Sequence, residues 1–235
     1  MHRRHFLSMG ATGLAGLIAT GGTLLLETPT VWADPLPSTN GAADLTAPDA
    51  ALQALMAGNQ RFVGHQSQHP HQSSARLAAV AQVQQPFATV LSCADSRVPV
   101  ELLFDQGIGD IFDVRVAGNI VTPTTLGNLE YAVALLGTPV LMVLGHERCG
   151  AVTAAVQNEP LPGDISRFIE AILPAVKRVK GQPGDKVDNA VIANVQYQIE
   201  QLKRSSLIAE RVESGQLRIV GGRYDLDTGR VQLVT

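Results

Sequence analysis

The sequence predicts an α/β fold, a mostly parallel central β-sheet flanked by helices. Three observations carry that expectation. Residues 87–93, 111–116 and 139–145 are short runs rich in Val, Ile, Leu and Phe, and the first and third run on without polar alternation. Such runs mark strands buried on both faces. Stretches with helical spacing of apolar residues separate them, which is the order of a parallel sheet with crossover helices. The chain has 235 residues, 45% of them hydrophobic, enough to bury one sizeable core.

Taken in order, residues 1–33 read as an export signal. Arg3 and Arg4 precede Phe6 and Leu7, residues 8–26 carry no charge, and small residues lead to Ala33, near which cleavage is expected. The paired arginines resemble a twin-arginine signal. Export to the periplasm or beyond follows as an expectation, with the membrane met only in transit. Residues 34–48, rich in Pro, Ser, Thr, Asn and Gly, read as a flexible linker, and residues 49–235 as the functional domain.

Pro48 opens a helix to about Val63, with Leu52, Leu55, Met56 and Phe62 on one face. His65, His69 and His71 follow among Gln, Ser and Pro. They read as a polar loop, because ligating histidines need supporting residues that hold them. A short helix is expected over 74–83, then the first strand. The second strand, a helix over 124–136 and the third strand come next. Further helices are expected near 151–156, 165–179 and 187–208. Residues 217–220 and 231–234 read as late strands joined through a turn at 224–229.

Net charge is −3 with no long basic run, which argues against nucleic acid as a partner. No internal repeat and no glycine-rich phosphate loop is present. Two cysteines are too few for a disulfide scaffold. They stand at informative places, however. Cys93 ends the first strand, and His146 and Cys149 follow directly on the third. Parallel strands bring these ends to one rim of the sheet. Two thiolates and an imidazole suit Zn²⁺ and leave a fourth position open, as at catalytic zinc. Asp95 is placed either to accept a hydrogen bond from a metal-bound water or to bind the metal itself, and Arg97 to orient that carboxylate. A Cys93–Cys149 disulfide stays open as the rival reading, since export would permit it.

Cys93-x-Asp95-x-Arg97 followed by His146-x-x-Cys149-Gly150 resembles the β-class carbonic anhydrases. Residues 115–119 (Arg-Val-Ala-Gly-Asn), 130–133 and 222–229 extend the likeness. The resemblance implies one Zn²⁺ per chain on Cys93, His146 and Cys149, with Asp95 a fourth ligand in a closed form. It implies reversible hydration of CO₂ to bicarbonate and a proton by hydroxide held on the zinc, with Asp95 and Arg97 as the catalytic dyad. Gln84 would supply a pocket amide, Gly150 a backbone N–H donor, and Tyr131 a pocket wall from a neighbouring subunit. It also implies a homodimer or larger homo-oligomer, in which the amino-terminal helices pack on the partner. Two positions depart from the pattern: Val90 stands where some bacterial members carry a tryptophan at an inhibitory bicarbonate site, and Glu147 where many carry a small or aromatic residue. A hydrolase acting on CS₂ or COS, and a non-catalytic zinc or bicarbonate binder, are the alternatives. Two thiolates neutralise the metal's charge, so activity is expected to rise with pH.

Overall fold

The computed structural model describes residues 44–159 and 161–234. The expected signal at 1–33 and nearly all of the linker lie outside the described residues.

Five strands form one sheet: β1 (Ala88–Ser92), β2 (Ile111–Arg115), β3 (Val140–His146), β4 (Arg218–Tyr224) and β5 (Val231–Leu233). Their order is β2-β1-β3-β4-β5. The first four are parallel, and β5 runs antiparallel to β4. β1 and β3 are buried along their whole length, as their unbroken apolar sequences require. The pleat sends alternate side chains to opposite layers. Val90, Met142, Leu144 and Val220 face one layer, and Leu91, Leu141 and Val143 face the other.

The helices are α1 (Pro48–Val63), α2 (Ser74–Val80), α3 (Val100–Leu103), α4 (Pro123–Ala134), α5 (Gly150–Gln157), α6 (Ile165–Arg178), α7 (Lys186–Leu202) and α8 (Ser206–Glu213). α1 starts on a proline, with Asp49 in its first turn where the helix dipole favours an anion. Its apolar face, Ala51, Leu52 and Leu55, lies on Val90, Met142 and Leu144 of its own sheet. Along that face the stretch packs on its own domain. The sheet layer it covers would otherwise stand in water, and burying it removes more apolar surface. α2 buries no residue and leaves Leu77 exposed.

Three further differences from the sequence reading have local causes. The helix expected over 187–208 breaks after Leu202, because Ser205 caps a new helix by accepting from the Ile208 N–H. β4 runs on through Gly221 and Gly222 rather than stopping at Val220. A Cβ at Gly222 would sit 3.0 Å from Leu144 Cδ1, so glycine here serves close packing and not a turn. α3 is a single turn, too short for periodicity to reveal.

From β1 the chain passes to β2 on one side, whereas β3 lies on the other. The carboxyl ends of β1 and β3 thus flank the point where the winding reverses, the place where open α/β sheets leave a crevice.

Candidate metal centre

Cys93 directly follows β1, His146 ends β3, and Cys149 immediately precedes α5. Their ligand atoms all lie within 4.8 Å of one another. All three side chains are buried, and the two sulfurs stand 3.9 Å apart as free thiols, so they do not form the rival disulfide.

His146 reveals the chemistry most directly. Its Nδ1–H donates to the backbone oxygen of Glu147 at 2.9 Å. In the neutral imidazole that bond fixes the tautomer, with the proton on Nδ1 and a lone pair on Nε2. Nε2 is fully buried with no hydrogen-bond partner. A buried acceptor without a partner is costly, and two thiols beside it make an S₂N donor set that fits zinc.

The sulfurs are not equivalent. A hydrogen bond from Cys149 lowers the Cys93 pKa against the cost of burial, helped by His146 and by the N–H groups of Gly118 and Asp95, to about 4. Cys149 is pushed up by sharing that proton with Cys93 and by burial, although the N–H groups of Val152 and Ala151 at the start of α5 favour its thiolate. A cation between them would relieve this competition and draw off the remaining proton.

Asp95 stands at the mouth. Arg97 donates to it three times: from its backbone N–H and Nε to Oδ1, both at 2.9 Å, and from Nη2 to Oδ2 at 2.7 Å. These bonds, the side-chain ones foremost, hold the Asp95 carboxyl well below the usual carboxylate range. Asp95 Oδ2 lies 3.8 Å from His146 Nε2, beside the three-ligand group rather than within it. In this conformation the carboxylate is a neighbour of the metal position, gripped by arginine.

Residues to which sequence reasoning gave no role hold the centre in place. Arg115 of β2 donates from Nε to the Cys93 carbonyl at 3.1 Å and from Nη2 to the Asp95 carbonyl at 2.6 Å, clamping the loop that carries a ligand and the dyad. The Gly118 N–H points at Cys93 Sγ, 3.4 Å away, from a left-handed backbone with φ 74°. Asn194 of α7 donates to the Gly118 carbonyl and accepts from Gln198, whose oxygen takes the Val121 N–H. Asn194 and Gln198 are four residues apart on one helix face, a spacing that marked them as a pair without saying that the pair is buried.

The remaining sequence candidates are dispersed. Gly150 opens α5 beside the ligands, with open space where a Cβ would stand. Gln84 is exposed and precedes β1, so it sits at the end of that strand opposite Cys93. Tyr131 lies on α4, 42% exposed, its ring 6.0 Å from that of Phe112 on the edge strand β2. One chain does not bring Gln84 or Tyr131 to the ligand cluster. The histidine loop gathers no metal site among the described residues: His71 pairs with Asp110 at 2.7 Å, and His69 uses its backbone N–H on Asp105.

A family model described as carbonic anhydrase matches residues 88–231. The carbonic anhydrase 2 of Mycobacterium tuberculosis is 44% identical over 193 residues, which span 80% of this chain and 93% of that protein. Among solved structures, the β-carbonic anhydrase CcaA aligns with a TM-score of 0.64 at 25% identity, covering 78% of this chain and 94% of its own. The Coccomyxa β-carbonic anhydrase, solved in complex with acetazolamide, aligns with a TM-score of 0.62 at 27% identity over 82% of this chain and 86% of its own.

Proposed function

The chain belongs to the β-class carbonic anhydrase family and is an enzyme of that kind, and on this premise we propose that it hydrates CO₂ reversibly to bicarbonate and a proton at a zinc ion held by Cys93, His146 and Cys149. The single observation that carries the reading is His146 Nε2, buried and unpartnered beside two thiols. A zinc ion held there would supply a hydroxide nucleophile by lowering the pKa of a water far below its value in bulk solvent.

The chain's own residues do the rest. Cys93 and Cys149 give up their protons when the metal binds, and the Gly118, Ala151 and Val152 N–H groups stabilise the sulfur charge that remains. Asp95, fixed by Arg97, presents an ionised acceptor toward the position before His146 Nε2. An acceptor there takes the nucleophile's proton in a hydrogen bond and turns its lone pair toward the carbon of CO₂. Arg97 in turn keeps Asp95 from closing on the metal. The Gly150 N–H, at the positive end of α5, offers a donor to an oxygen of CO₂ or bicarbonate.

The pocket is completed by a second copy of the chain. Gln84 and Tyr131 are pocket residues in the family pattern, yet both stand apart from their own chain's ligands and exposed. Phe112 and Tyr131 together present aromatic surface at β2, which has no neighbouring strand on its outer side among the described residues. Residues 1–33 would carry the chain out of the cell, with zinc acquired before or after passage.

Zinc stoichiometry and stopped-flow CO₂ hydration on the purified chain test the reading, with CS₂ and COS as competing substrates. One zinc per chain and rapid CO₂ turnover, both lost in Cys149→Ser, are expected. Turnover of CS₂ or COS in place of CO₂ would overturn the substrate assignment.

A further inference from the structure

Glu147 and Arg148, the two residues between His146 and Cys149, both reach across to β4 and the turn that follows it. Arg148 has a left-handed backbone, φ 47°, and makes two bonds to Asp227, at 2.7 and 3.0 Å, but both side chains are exposed. Water screens that pair. Glu147 is different. Its Oε1 accepts from Arg223 Nη2 at 2.6 Å and its Oε2 from the Leu226 N–H at 3.0 Å. Arg223 also donates from Nε to Asp188 of α7 at 2.6 Å. The Glu147 and Arg223 side chains are only 16% and 12% exposed.

We infer that the Glu147–Arg223 pair is a positioning device for the ligand His146. The Glu147 backbone oxygen is the acceptor that fixes the His146 ring and tautomer. The peptide bearing that oxygen has no regular strand or helix to hold it, since β3 has ended and α5 has not begun. On the amino side, the Glu147 N–H donates to the Tyr224 carbonyl. The carboxylate supplies further ties, to β4, to the turn after it and, through Arg223, to α7, besides a looser ion pair with the neighbouring Arg148 at 3.7 Å. With it gone, one hydrogen bond would be left to hold the residue whose carbonyl must meet Nδ1. The imidazole would then be free to take the other tautomer, which places a proton on Nε2 where the metal must bind. Glu147, the position that departs from the family pattern, thus acts on the metal through the histidine next to it. Arg223 and, behind it, Asp188 act through Glu147.

This inference rests on the zinc reading above, so the experiment separates the two. Zinc affinity of the full chain is measured by competition with a chromophoric chelator. The tautomer of His146 in the metal-free protein is read by ¹⁵N NMR. Glu147→Ala and Arg223→Gln are each expected to lose about tenfold in zinc affinity, as losses around a ligating histidine do. Both should show Nε2–H in the metal-free state. Glu147→Gln keeps an oxygen for the Leu226 N–H but loses the ionic tie to Arg223, so its loss of affinity should match that of Arg223→Gln. A purely structural role lowers thermal stability but leaves affinity and tautomer alone, and that result in folded Arg223→Gln overturns the inference even if Glu147→Ala does not fold. A native chain that binds no zinc overturns the zinc reading, and this inference with it.

Discussion

At the scale of single residues, two carboxylates in similar sequence surroundings meet opposite fates. Asp95 is held ionised by Arg97. Asp113, in the middle of β2, is pushed up to about 6 by burial and by repulsion from Glu101. Asp95 makes the catalytic prediction. Asp95→Asn removes the ionised carboxylate and with it any closed form, so CO₂ hydration should fall by about 100-fold. Its loss of activity toward low pH should also become shallower than in the native enzyme. A pH–rate profile of unchanged shape would remove Asp95 from the mechanism. Asp113 makes a stability prediction. Because the folded state raises its pKa, the folded chain binds this proton more tightly than the unfolded chain does. Its cost to stability is absent below about pH 4, the ordinary carboxylate value, grows as pH rises from there to about 6, and is fully present above. Asp113→Asn should therefore stabilise the fold at pH 7.5, by about 1 kcal/mol once partial solvent screening is allowed for. Near pH 4 it should gain nothing. Urea unfolding at the two pH values checks this.

At the scale of elements, the centre depends on how strand ends meet a helix. Cys93 and His146 were legible as strand ends, because buried strands write continuous apolar runs that stop where the ligands begin. The turn at 117–119 was not legible as a support for Cys93, since its contacts lie far along the chain. Gly118 holds φ 74°, and a Cβ there would meet Ile172 Cδ1 of α6 at 2.5 Å. Gly118→Ala should cost about 1–3 kcal/mol, combining backbone strain with overpacking. It should also weaken zinc retention by shifting the N–H that points at Cys93. Denaturant unfolding with a parallel zinc assay reads both. Loss of stability with zinc affinity unchanged would show that the hydrogen bond to sulfur contributes nothing.

At the scale of the whole molecule, the proposed sharing of the pocket between two chains has a direct consequence. Cys93→Ser destroys the metal site but keeps Gln84, whereas Gln84→Ala keeps the metal site but loses the amide. Each alone should have low activity. Refolded together, they form mixed dimers in which one pocket draws its metal ligands from one chain and its Gln84 from the other. About half of the dimers are mixed and each has one sound pocket, so about a quarter of native activity should return. No recovery beyond the sum of the separate proteins would place Gln84 outside the pocket.

The sequence by itself determined the fold class and picked out Cys93, His146 and Cys149, which the fold gathers at the strand ends, with Asp95 and Arg97 paired beside them. Each is written locally: strands as apolar runs, ligands as the only two cysteines and one histidine at their ends, Asp95 and Arg97 two residues apart on one loop. Tertiary structure decided what those residues rest on. The carbonyl of Glu147, the Arg115 clamp, the Gly118 N–H, the buried Asn194 and Gln198, and the inward face of α1 all depend on partners many residues away. Hydrogen bonds between such partners exist only once the parallel strands have paired and the helices have closed over the sheet. The chemistry at the strand ends is a matter of residue type. Its geometry is a matter of packing, which no local pattern records.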